Sequence, residues 1–198
     1  MPNDLFNYIF ILLAWLIFGI LTIYLASWRA KVKAYDAGRK PVNYRRAYVI
    51  IFVLLFLLIL SFGSFIEPVY FMPATKASQG VGLIIATFAF FLVKMAFKQK
   101  SFKVFLGTKA KEDKEILVKT GIYGRIRHPL YTSAIMFVIG FVVFSPSYTN
   151  LIHGICLLFY LLISVQYEDK RRAKAFTKEY EKYKEEVPML LPKLKLGF

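Results

Sequence analysis

The sequence predicts an all-α integral membrane protein of about five transmembrane helices, the last two forming a hairpin, with a cytoplasmic C-terminal helix. Three observations predict it. Hydrophobic residues make up 58% of the 198, and they gather in long runs rather than in the short periodic patches of a soluble domain. The basic residues gather in the segments between and after those runs. Backbone polar groups within lipid must be satisfied inside each segment, which leaves helices as the economical choice.

The first run is about Leu5–Ala26. No Lys or Arg precedes Arg29, and the run is too long for the apolar region of a signal peptide, so a permanent first span is expected. The second run is Ala47–Ile66. Both can cross a hydrocarbon core of ~30 Å at ~1.5 Å per residue. Pro68 and Pro73 break the connection to the third run, Gly80–Ala96, which is near the lower limit for a span. The fourth, Leu130–Phe144, is short, and Ser145-Pro146-Ser147 turns the chain directly into the fifth, Leu151–Tyr167. Beyond it, Phe176, Tyr180, Tyr183 and Val187 make an apolar stripe at helical spacing, expected to pack on the cytoplasmic loop or the membrane surface. Pro188 and Pro192 stop that helix. The expected organisation is residues 1–97 with three N-terminal spans, then residues 98–198 with a cytoplasmic loop, the hairpin and the amphipathic helix. No internal repeat or low-complexity segment interrupts it.

Charge orients the chain. Of 27 Lys and Arg, seven lie in Ser27–Arg46, ten in Lys94–Pro129 and nine in Glu168–Phe198, and only Lys76 lies elsewhere. This bias places the N-terminus outside and the C-terminus in the cytoplasm. It also accounts for the net charge of +15 through contact with anionic headgroups, above all at Arg29–Arg46, so nucleic acid is not an expected partner and membrane lipids are. Without an organelle signal, a prokaryotic inner (plasma) membrane is the expected location. Cys156 is the single cysteine. It allows no internal disulfide, and no metal site is expected. His153 is read as interfacial or pore-facing, and Glu67 as solvated.

The chemistry-bearing residues concentrate where the chain enters its fourth span, from Leu117-Val118 through Gly121-Ile122-Tyr123-Gly124 to Arg127-His128-Pro129-Leu130-Tyr131. The glycines permit tight turns. Pro129 suits the first helical position and places His128 at the cap. A helix N-terminus favours an anion, and Tyr123 and Tyr131 offer aromatic faces to a cation. Such a corner suits a small ligand carrying both a carboxylate and a positive centre, and equally an interfacial belt of Arg and Tyr. Glu168-Asp169 marks the exit of the fifth span. It either pairs with Arg171 or Arg172, or orients a polar ligand in the pocket of His128. No dinucleotide fingerprint, P-loop, zinc-protease or serine-hydrolase motif is present.

This cluster resembles the isoprenylcysteine carboxyl methyltransferases and their relatives, the phospholipid N-methyltransferases, whose pattern is roughly L-V-x-x-G-x-Y-x-x-x-R-H-P-x-Y. Leu117-Val118, Gly121, Tyr123, Arg127-His128-Pro129 and Tyr131 match it. The family's second motif, an acidic pair and then F-G-x-E-Y-x-x-Y with a later proline, is met by Glu168-Asp169, Phe176, Glu179-Tyr180, Tyr183 and Pro192. The resemblance covers about Phe102–Pro192. It implies a membrane-embedded methyltransferase using S-adenosylmethionine and a lipophilic (isoprenoid or lipid) acceptor. It further implies Val118, Gly121, Ile122, Tyr123, Arg127, His128, Pro129, Tyr131 and Glu168 as cofactor contacts, with Glu168, His128 and Tyr131 as the catalytic set. By the same resemblance, the methionine carboxylate would meet the helix N-terminus and His128. Three departures stand out. Thr177 replaces the usual glycine, Arg171 and Arg172 stand where the family usually has apolar residues, and Ser164-Val165-Gln166 lacks the arginine that often precedes the acidic pair in relatives acting on carboxylates. Membrane sterol reductases share a similar R-H-P-x-Y corner but bind NADPH, and a non-enzymatic lipid-binding protein is the third alternative.

Overall fold

The structure, a computed structural model, describes residues 2–35, 53–54, 56–58, 66–99 and 117–192. Every regular element there is helical: α1 (Pro2–Tyr35), α2 (Lys76–Gln99), a 3-10 turn (Gly121–Gly124), α3 (Pro129–Phe144) and α4 (Tyr148–Glu186). Most of the expected second span Ala47–Ile66 lies outside the described residues, as do 36–46 and 100–116 of the two basic segments.

Leu5–Tyr24, α2 and α4 are each long and apolar enough to cross a membrane, whereas α3, with 16 residues, is shorter. Their large apolar side chains face outward, as Leu16, Leu83 and Phe159 do at 60%, 62% and 65% exposure. Such surfaces are stable against hydrocarbon, not water, and the chain is an integral membrane protein.

Two helices run further than their apolar stretches. The first continues past Ala26 through Arg29, Lys31 and Lys33 to Tyr35, because no glycine or proline occurs before Gly38 and Arg, Lys and Ala are good helix formers. The second begins at Lys76 rather than Gly80, because Thr75 caps it: its Oγ1 accepts the Ser78 N–H at 3.1 Å. Within α4 the expected fifth span and the tail helix follow one another as two helices, parted by a kink later than the membrane exit. The break falls at Thr177, with φ 46 and ψ −124.

The chain divides into two compact units, residues 1–72 with 147–156, and residues 73–146 with 157–198. In the first, Trp15 is the centre. Its ring meets Phe18, Phe56 and His153 edge-on, with centroids 5.5, 6.1 and 6.1 Å away. Its Nε1–H donates to His153 Nδ1 at 2.9 Å. His153 is buried at 6% exposure rather than facing a pore, because its ring is the hydrogen-bond partner of a buried indole. The Tyr148 N–H donates to the Val69 carbonyl at 2.9 Å, beside a bridge between Tyr70 and Ser147.

In the second unit α2 packs on α3 at backbone distance. A Cβ on Gly82 would lie 2.6 Å from the Gly140 carbonyl oxygen and 2.6 Å from the Phe144 nitrogen. Ala89 and Ala96 continue the buried face of α2. Small residues let helices approach in lipid, where van der Waals packing replaces the hydrophobic drive. The stripe closes the unit, as its pattern implied. Tyr180, Tyr183 and Val187 are buried together against Leu117, Ala173 and Phe176, so the helix end packs on the loop that precedes the 3-10 turn.

Candidate functional site

The corner between the 3-10 turn and α3 is built by chain geometry first. Gly121 opens the turn at φ 59, a left-handed conformation that side chains with a Cβ rarely adopt. A Cβ there would also run into the Gln99 side chain, 1.4 Å from Nε2, so the end of α2 lies flat on this glycine. His128 is the cap residue of α3 and Pro129 its first position. The tail clamps both: the Arg127 and His128 N–H groups donate to the Pro188 and Met189 carbonyls at 2.9 and 3.1 Å. Thr132 Oγ1 donates to the Leu190 carbonyl at 2.7 Å, and the Tyr183 hydroxyl donates to the Tyr123 carbonyl at 2.5 Å.

Beneath this clamp three donors converge on Asp169 Oδ1: Arg127 Nη1 at 2.6 Å, Tyr180 OH at 2.6 Å and His128 Nε2 at 2.9 Å. Arg127, His128 and Asp169 are buried at 7%, 3% and 7% exposure. Burial by itself would raise the Asp169 carboxyl. The hydrogen bonds from Tyr180 and His128 and the adjacent Arg127 charge outweigh it and hold the group below its ordinary value. Burial pushes the His128 imidazole below its usual 6.5, against the Asp169 hydrogen bond that favours the charged form. The ring is then neutral near pH 7. With its proton on Nε2 toward Asp169, Nδ1 is an acceptor and offers nothing to a ligand carboxylate. Burial, and then the hydrogen bond to Asp169, raise the Tyr180 phenol, which stays a donor.

Glu168, one residue earlier, is held differently. Arg171 Nε and Nη2 donate to its two carboxylate oxygens at 2.8 and 2.9 Å, and Arg172 Nε donates at 2.9 Å. Burial would raise this carboxyl, but the two guanidinium groups overcome it and bring it down to about 2. A carboxylate so acidic is a poor general base near neutrality, but it is a fixed negative charge, and its side chain remains 23% exposed. No hydrogen bond joins Glu168 to His128 among the described residues. It is Asp169 that reaches the imidazole.

The structure divides the sequence-derived site residues into two groups. Gly121 is exposed, and Val118, Ile122, Tyr131 and Glu168 are half-buried, so all five can meet a ligand. Tyr123, Arg127, His128 and Pro129 are buried and build the corner from within. The His128 and Tyr131 rings pack edge-on at 5.9 Å, so the buried histidine sets the position of the tyrosine. Sequence reasoning placed Tyr180 in a packing stripe and Asp169 in an acidic pair. It offered the acidic pair a place in the pocket of His128 but did not foresee the direct bond from His128 to Asp169 or the part of Tyr180. The spacing of eleven residues between Asp169 and Tyr180 straddles the break at Thr177, so helical periodicity by itself gave no signal that would have joined them.

Two comparisons with known proteins bear on this geometry. A family model described as phospholipid methyltransferase matches residues 77–179, just over half of the chain, including nearly all of α2, the 3-10 turn, α3 and Asp169, and ending just before Tyr180. A methanethiol S-methyltransferase from Crocosphaera subtropica is 30% identical over 91 residues, 46% of this chain. The match spans 35% of that relative's length. Neither finding favours the reductase or the non-enzymatic reading.

Proposed function

Because the chain belongs to the phospholipid methyltransferase family, we propose that it is an S-adenosylmethionine-dependent membrane methyltransferase acting on a lipophilic acceptor. The observation that carries this reading is the family match running through the corner from Gly121 to Tyr131. The residues fit such a cofactor. Gly121 gives the tight turn its left-handed backbone, Tyr131 presents an aromatic face suited to a cation, and Glu168, paired with Arg171 and Arg172, keeps a partly exposed carboxylate. Val118 and Ile122 supply apolar contact. The bound cofactor would supply an electrophilic methyl group. The protein's task is then alignment and exclusion of water. Glu168 and Tyr131 orient the cation. Asp169, Arg127, His128 and Tyr180 hold the turn and the start of α3 in one geometry, acting as positioning residues. A carboxylate on the ligand would find its donors in Arg171 and Arg172 rather than in His128.

The relative with a thiol acceptor and the missing arginine before Glu168 together favour a neutral acceptor atom, a thiol or an amine, over a carboxylate. Calorimetry on the solubilised protein tests the reading. S-adenosylhomocysteine is expected to bind, Glu168→Gln to weaken it roughly tenfold by removing one charge interaction of ~1–2 kcal/mol, and NADPH to give no heat. Binding of NADPH without adenosylhomocysteine would overturn the proposal.

A further inference from the structure

Away from the corner, the exposed face of α2 carries a groove of about 490 Å³ lined by Phe88, Phe91, Lys94, Met95 and Lys98. Its lining is apolar, so the lysines contribute their stems and keep their ammonium groups free of the groove. All five residues are exposed, while the opposite face, with Gly82, Ala89 and Ala96, is buried. Lys94 and Lys98 stand one helical turn apart, about 5–6 Å between Cβ atoms, a separation that one phosphate bridges. Neither has an ion-pair partner among the described residues, in contrast to Lys119, which pairs with Glu179 at 2.9 Å.

We propose that this face of α2 is a binding site for an anionic phospholipid, with the phosphate between Lys94 and Lys98 and an acyl chain along Met95, Phe91 and Phe88. Charge complementarity selects the occupant. Two cations with no ion-pair partner among the described residues, at the end of a membrane-spanning helix, attract an anionic headgroup, and the rings one to two turns deeper offer a hydrocarbon chain its seat. A zwitterionic lipid brings a compensating cation and loses that attraction. The site does not depend on methyl transfer. Its occupant would steady the end of α2 where Gln99 rests on Gly121.

Native mass spectrometry of the full chain, exchanged into mixtures of dioleoylphosphatidylglycerol and dioleoylphosphatidylcholine, tests it. The wild type is expected to retain the anionic lipid preferentially. The double variant Lys94→Gln/Lys98→Gln should lose that preference roughly tenfold. Lys76→Gln, at the other end of α2, should keep it, and Phe88→Ala/Phe91→Ala should shorten retention of both lipids. Equal retention of the two lipids by the wild type would overturn the site. So would a preference that survives the double variant or falls equally with Lys76→Gln. Adenosylhomocysteine binding measured on the same samples separates this failure from failure of the methyltransferase reading.

Discussion

Three donors share one oxygen of Asp169, and one of them is a buried guanidinium with 8% of its side chain exposed. Asp169→Ala leaves that charge without a counter-ion, which costs about 3–5 kcal/mol where a buried pair is broken. The expected result is a large fall in melting temperature of the solubilised protein, whereas Glu168→Gln should lower it little. The same network makes stability depend on pH. His128 and Asp169 both have folded-state values below their unfolded ones. The unfolded chain therefore binds more protons as pH falls, and stability present at neutral pH is lost on acidification. The loss begins below about 6.5, the unfolded His128 value, and Asp169 adds to it below 3.8. Melting curves from pH 8 to 5 should show that first decline in the wild type and a flatter profile in His128→Asn. The presence of His128 at a helix cap was readable from the Pro129 that follows. Its partner was not, because 41 residues separate the two side chains in the chain.

At the level of elements, two backbone positions decide how the helices sit. Thr177 occupies φ 46 and ψ −124 inside α4, a region where a β-branched residue is strained by ~1–3 kcal/mol. The family pattern has glycine here, and the geometry supplies the reason: only glycine takes this conformation without a Cβ clash. Thr177→Gly is expected to stabilise the protein by about 1 kcal/mol after the added freedom of its unfolded chain is subtracted, read as a rise in melting temperature. Gly82 is the opposite case, since it needs its missing Cβ for contact with α3. Gly82→Leu should separate α2 from α3 and cost at least the ~1–3 kcal/mol of overpacking, seen as poor yield and a lowered melting temperature. The run Gly80–Ala96 announced a span, but the choice of α3 as the partner of α2 rests on complementary backbone approach. Hydropathy does not record that property.

For the whole molecule, the distribution of charge makes a prediction about topology. With 26 of 27 basic residues in three segments, reporter fusions should place the N-terminus outside and the C-terminus in the cytoplasm. An internal N-terminus would overturn that orientation and remove the corner from its expected side. The apolar runs, the basic segments and the spacing of the two motifs were all legible before any coordinates, because hydropathy, charge and helical periodicity are local properties that add along the chain. They marked a membrane protein, three of its long apolar helices and the stretch from Leu117 to Tyr131 that the family match runs through. Only tertiary structure decided that Asp169 rather than Glu168 binds His128, that Arg171 and Arg172 claim Glu168, and that Tyr123 builds the corner from inside. The Asp169 and Tyr123 contacts depend on which face of a helix meets a loop tens of residues away. The Glu168 pairs are local, three and four residues along one helix, and there the structure chose between readings that the sequence left open. A directional hydrogen bond forms only once the two groups are brought together.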